Sequence, residues 1–367
     1  MKRFIISGII ATAMAPIPAM ADITVKLPAN AGMESLNYNY TTIQKLATAK
    51  NRAERETVEA QAPVKDGVAV IPIGNDAGGY RFDIEINDKG SISTYAAPGD
   101  QIVAEVVSLD PADYRLSGTP LIDGDNELDA LSKPYIEQIK AIRSSENPDR
   151  EKMQSIYNDY LEEIKQYIEE NPTSPTACLA IMNLSGEDFL NAYTHLGERA
   201  KSSIVFPLVE RQYGNVKKSV EKERKQAELS KGDVAAPNFT LKNLEGKEVS
   251  LSDFKGKWVI LDFWGSWCPW CIKGFPELKE AYTKYKDILE IVGIDCRESE
   301  DAWRAGVAKY ELPWVNVYNP ESSSLLDDYA VQGFPTKAII NPEGIISNIT
   351  VGHDPEFFNK LTELIGK

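Results

Sequence analysis

At 367 residues the chain is long enough for two or three domains of roughly 100–200 residues each. With 43% hydrophobic and 26% charged residues it has an ordinary globular mix, which excludes wholesale disorder. Asp and Glu number 55 against 40 Lys and Arg, a net charge of −15, so nucleic acid and anionic lipid are poor partners. Only two His (His195 and His353) and four Cys are present, too few for an imidazole-rich metal centre or a disulfide scaffold.

Lys2 and Arg3 precede an apolar run over 4–14, and Ala19-Met20-Ala21 offers a small-x-small cleavage site. This is the pattern of a secretory signal peptide cut after Ala21. The run is shorter than the roughly 20 residues of a spanning helix, and Pro16 and Pro18 end it, so stable membrane insertion is not expected. The expected location is a periplasm, where thiols stay reduced only with help.

Residues 22–125 read as a β-rich N-terminal domain. Runs at 64–73, 80–86 and 101–109 alternate or are β-branched, and Gly, Asn, Asp and Pro clusters punctuate them. The segment holds neither Cys nor His. Residues 126–231 form a helical region and connector. Leu128, Leu131, Ile136, Ile139 and Ile142 share one helical period, and Met153 to Ile168 repeats it more strongly until Asn171-Pro172 stops it. The tyrosines of that second run (157, 160 and 167) read as core, and 217–231, charged on nearly all sides, reads as an exposed helix.

Residues 232–367 alternate strand and helix. Buried strands are expected at 258–264 and 288–294, helices at 268–285, 301–309 and 355–365, and a late hairpin at 337–341 and 345–351. The chemistry concentrates in Asp262-Phe263-Trp264-Gly265-Ser266-Trp267-Cys268-Pro269-Trp270-Cys271. A dense apolar strand runs directly into two Cys spaced to meet across one helical turn. The first Cys falls where unpaired amides and the helix dipole favour a thiolate, as a reactive thiol requires. Cys271, further into the helix, is expected to be the more buried, resolving thiol, and Pro269 suits a first turn that needs no N–H. A zinc site would need a second Cys or His pair nearby, and none follows. A structural disulfide closing so short a loop gains little. A peroxiredoxin-type peroxidase needs Thr or Ser three residues before its reactive Cys and Pro seven before; Gly265 and Leu261 stand there instead.

With Trp267-Cys268-Pro269-Trp270-Cys271, Pro276 five residues on, and Gly333-Phe334-Pro335-Thr336 before a β-run, the segment 232–367 resembles the thioredoxin superfamily, and within it the exported TlpA/ResA-like protein-disulfide reductases. The resemblance implies an α/β thioredoxin-like domain, a mixed sheet flanked by helices. It implies a cis Pro335 beside the disulfide, a Phe334 backbone that pairs with the substrate peptide, and Asp262 as buried proton acceptor for the resolving thiol. Cys268, Cys271 and Asp262 are therefore the expected catalytic residues, and Trp267, Pro269, Trp270, Phe334 and Pro335 the expected substrate-binding ones. Many ResA-like proteins carry Glu three residues after the second Cys; here Gly274 stands there. No metal and no dissolved cofactor is implied. The expected partners are disulfide-containing proteins and a membrane thiol relay as electron donor. The competing reading is a peptide- or glycan-binding protein dominated by the β-domain, with the thiols secondary. Cys178 and Cys296 are expected to be unpaired.

Overall fold

The computed structural model describes residues 22–366 apart from Lys89, and the expected signal peptide at 1–21 lies outside the described residues. Two compact units divide at 216/217.

The first unit opens with β1 (Asp22–Lys26), β2 (Ser35–Thr42), α1 (Ile43–Thr48), β3 (Val58–Lys65), β4 (Val68–Pro72), β5 (Tyr80–Asn87), β6 (Gly90–Ala96), β7 (Gln101–Leu109) and β8 (Ala112–Ser117). They make one eight-stranded sheet in the order β6-β5-β2-β3-β4-β1-β7-β8. Alternate residues bury: Tyr80, Phe82, Ile84 and Ile86 of β5 and Ile102, Ala104 and Val106 of β7 share one core with Ile23, Leu36 and Ile71. The run expected over 64–73 is in fact a hairpin, because Asp66 and Gly67 both take positive φ (51° and 74°) and turn β3 into β4. Asp-Gly is the pair such a two-residue turn selects.

Helices follow: α2 (Pro120–Arg143), α3 (Arg150–Glu170), α4 (Ala177–Ala180), α5 (Gly186–His195), α6 (Glu198–Lys201) and α7 (Phe206–Leu229), the last spanning the division between units. α2 begins at Pro120, earlier than the apolar period indicates. Thr119 caps it, its hydroxyl accepting from Ile122 N at 3.2 Å, with Pro120 in the first turn. In α3 the core face is Ile156, Ile164 and Ile168, whereas Tyr157 is exposed and Tyr160 and Tyr167 are only partly covered. The tyrosine stripe thus edges the core rather than filling it.

The second unit contains β9 (Thr240–Asn243), β10 (Glu248–Ser250), β11 (Trp258–Trp264), α8 (Pro269–Tyr285), β12 (Leu289–Asp295), α9 (Glu300–Tyr310), β13 (Val315–Tyr318), α10 (Leu325–Asp328), β14 (Thr336–Ile340), β15 (Ile346–Val351) and α11 (Phe357–Ile365). Its mixed sheet runs β10-β9-β13-β12-β11-β14-β15; β11, β12 and β13 are parallel, and β14 is antiparallel to β11. Alternation on β11 divides two cores. Val259, Leu261 and Phe263 enter one with Phe239, Val317 and Tyr329, while Ile260 and Trp264 enter the other with Cys268, Cys271, Phe275 and Phe357. Leu229, at the end of α7, is buried in the first of these cores, so the connector helix ends inside this unit. Among the described residues no helix is long and apolar enough to cross a membrane.

Candidate active site

Strand β11 delivers the chain to Gly265-Ser266-Trp267, and α8 begins one residue after Cys268. Cys268 is the N-cap. Its backbone is extended (φ −98°, ψ 102°), and its sulfur accepts from the Cys271 amide at 3.2 Å. That amide is one of those a helix start leaves without an intrahelical partner, so it is free to stabilise negative charge on the Cys268 sulfur. Cys268 and Cys271 are joined as a disulfide, with Cα atoms 5.3 Å apart. The two residues are 3% and 2% exposed, so the expected contrast in burial is not seen in the disulfide form; the asymmetry lies in the hydrogen bond. Pro269 occupies the first turn, and Pro276 removes one backbone donor from the helix interior.

Asp262 lies between Ile260 and Trp264 on β11 and therefore faces the α8 side. It is 1% exposed, and its Oδ1 has no hydrogen-bond partner. Burial pushes its carboxyl above the ordinary value, and Lys337 opposes that rise. Lys337 is its register partner on β14, itself 5% exposed, with Nζ 3.9 Å from Asp262 Oδ1 and 5.7 Å from the Phe357 ring centroid. A Cβ built at Gly274 would lie 3.8 Å from the same Nζ. Gly274 is three residues after Cys271, so the buried ion pair sits against α8 one turn beyond the second thiol. The other ion pairs found among the described residues are more exposed.

The Phe334–Pro335 peptide is cis, and Pro335 is buried. The Phe334 ring meets Trp267 edge-on with centroids 5.3 Å apart, which brings the loop before β14 against the residue preceding Cys268. Trp267 is fixed by its indole N–H, which donates to Cys296 O at 2.9 Å. Gly265 makes room for this, since a Cβ there would fall 2.4 Å from Trp267 Nε1. Glu298 accepts from Ser266 N at 2.7 Å and from the Ser266 hydroxyl, tying the loop after β12 to the segment before Cys268. Burial, reinforced by Glu298, pushes the Asp295 carboxyl up to about 9. Trp267 and Trp270 are 47% and 56% exposed. Trp270 lies beside Lys273 and stacks with His353 at 6.3 Å. Cys178 and Cys296 are free and buried, and burial pushes the Cys178 thiol up to about 12.

Direct contacts thus link Cys268 with Cys271 and Trp267 with Phe334, while Asp262 joins α8 through Lys337. Lys337, Arg297, Glu298 and His353 are not singled out as site residues by the sequence. For Lys337 a signal exists, a lone charge in the apolar run Thr336–Ile340, but its partner is set by strand register.

A model of the AhpC/TSA family matches residues 233–349. A thiol-disulfide oxidoreductase ResA of Bacillus cereus is 38% identical over 118 residues, 32% of this chain and 68% of that protein. ResA of Bacillus thuringiensis subsp. konkukian is 36% identical over 133 residues, 35% of this chain and 76% of the relative. A solved thioredoxin domain of a thiol-disulfide oxidoreductase from Bacteroides vulgatus aligns at 32% identity and TM-score 0.34, covering 36% of this chain and 96% of its own. The segment before residue 233 lies outside the family match. Through its C-terminal unit, the chain belongs to the thioredoxin-like thiol-disulfide oxidoreductases related to ResA.

Proposed function

We propose that this oxidoreductase is exported and reduces protein disulfides in the periplasm through Cys268 and Cys271. The observation that carries the reading is the N-cap geometry, in which one sulfur has a helix-terminal amide and the other does not. In the reduced enzyme the Cys268 thiolate attacks one sulfur of a substrate disulfide, and the other leaves as a thiolate. Cys271 loses its proton to Asp262 and attacks Cys268, which breaks the mixed disulfide and releases the second substrate thiol. The enzyme disulfide then takes two electrons from a membrane thiol relay. Trp267, Pro269, Trp270 and Phe334 form the surface that receives the substrate chain, with the buried Pro335 behind it. Peroxide reduction is disfavoured because Gly265 offers no hydroxyl three residues before Cys268. The binding-protein reading is not favoured, since family and geometry both centre on the dithiol.

Trapping tests this assignment. Cys271→Ser should accumulate mixed disulfides through Cys268, and Cys268→Ser far fewer. Equal trapping by the two variants would remove the role assignment, and more trapping by Cys268→Ser would reverse it.

A further inference from the structure

The aromatic rings beside the disulfide share a property that the composition of the chain does not predict. The Arg297 guanidinium carbon lies 5.0 Å from the Phe334 ring centroid, and Phe334 packs against Trp267. The Lys273 ammonium lies 4.9 Å from the Trp270 centroid, and the His353 ring stacks on Trp270. In a chain of net charge −15, the charged or protonatable groups found on these rings are two cations and an imidazole. Neither Arg297 nor Lys273 makes an ion pair among the described residues, although Glu298 adjoins one and Glu277 stands four residues from the other. Glu298 is turned to Ser266, and Asp354, beside His353, accepts from Glu356 N. Arg297 also holds a left-handed backbone (φ 62°), which non-glycine residues adopt at a cost. That conformation follows directly on Cys296, whose carbonyl anchors Trp267. The backbone strain therefore sits at the residue whose guanidinium is presented over the Phe334 ring.

We propose that the disulfide face selects acidic segments, with Asp or Glu side chains flanking the substrate disulfide meeting Arg297 and Lys273. The proposal rests on the protein-disulfide reductase reading above and adds the substrate class. Aromatic faces offer a sequence-tolerant apolar seat, and the cations at their edges favour encounter with a chain of opposite charge. Basic substrates would be disfavoured, since these cations repel them.

The test uses the full-length reduced protein and three disulfides: two peptides identical except for Glu or Lys on either side of the cysteine, and a small uncharged disulfide. At low salt the Glu peptide should be reduced about tenfold more efficiently in kcat/KM than the Lys peptide. The difference should lie mainly in KM and shrink at high salt. The Arg297→Gln/Lys273→Gln variant should bring the ratio close to one while leaving the uncharged disulfide unaffected. Equal efficiencies for the two peptides, with the uncharged disulfide turned over, would overturn the inference and leave the dithiol reading standing. A persistent preference in the double variant would also overturn it. Failure to reduce any of the three would instead overturn the reductase reading.

Discussion

Replacing Lys337 by Met removes the cation of the buried pair while keeping an unbranched side chain of similar length. At the observed 3.9 Å the attraction between the ammonium and Asp262 amounts to about 4 kcal/mol for an effective dielectric of about 20, before the cost of burying Lys337 is set against it. Losing even a third of that would leave about tenfold less ionised Asp262 at pH below the wild-type midpoint, slowing a step that requires it about tenfold there and progressively less above it. Burial already holds Asp262 above its ordinary value, and Lys337 limits the rise, so the variant's pH midpoint must move up. The assay is the single-turnover rate of mixed-disulfide resolution against pH, read through the tryptophan emission of Trp267 and Trp270. Stability gives a second readout. A carboxyl raised by folding destabilises the fold progressively as pH rises from its unfolded towards its folded midpoint. The deficit of the Met variant should therefore be small or reversed in acid, where Asp262 is neutral, and grow toward neutral pH. Superimposable rate profiles would refute the reasoning, as would a deficit independent of pH, which would mean that Lys337 acts by packing alone. Lys337→Arg should recover part of the wild-type profile.

Two further outcomes follow from the same unit. A fragment covering residues 217–367 should be more stable than one covering 232–367, because the shorter piece lacks the buried Leu229 side chain, worth about 1.5–3 kcal/mol, and the Lys222–Asp327 ion pair; comparing their denaturant midpoints checks this. Asp295, whose carboxyl is pushed up to about 9, should make stability fall as pH rises from its unfolded midpoint near 3.8 toward 9, and Asp295→Asn should flatten that slope in thermal unfolding.

The parts of the fold legible in the sequence are those where local chemistry and burial agree. Trp258–Trp264 and Leu289–Asp295 are apolar on both faces because helices cover both, and their bounds are visible to within a residue. Apart from β1 and β2, which lie inside the first sheet, the strands that leave no trace are short or lie at an edge. β8 and β10 each end a sheet, and β8 buries none of its residues. β9, β10 and β13 are only three or four residues long. An edge strand with an open face needs no apolar alternation, and a strand of three or four residues is too short to display one. The start of α2 is hidden for another reason. Its first turns carry Asp123 and Gly124, which blur the apolar period, and the start is written instead in the cap Thr119-Pro120.

Within the site, the dithiol is readable because its residues are adjacent in the chain, and its hydrogen bond follows from placing Cys268 at a helix start. The Asp262–Lys337 pair is not, because it depends on which residue of β14 lies opposite which residue of β11. A slip of one position would turn Lys337 to the other face of the sheet. That register also gives physical sense to Gly274. A Cβ there would touch the Lys337 ammonium at 3.8 Å, so a carboxylate at this position, as in many ResA-like proteins, would compete with Asp262 for the same cation. With glycine the ammonium has one buried carboxylate to answer to, and the charge one turn beyond Cys271 is a single pair rather than a triad. The proton affinity of Asp262, and in the proposed mechanism the pH at which Cys271 is activated, then depends on Lys337 in a way that a third charge would dilute.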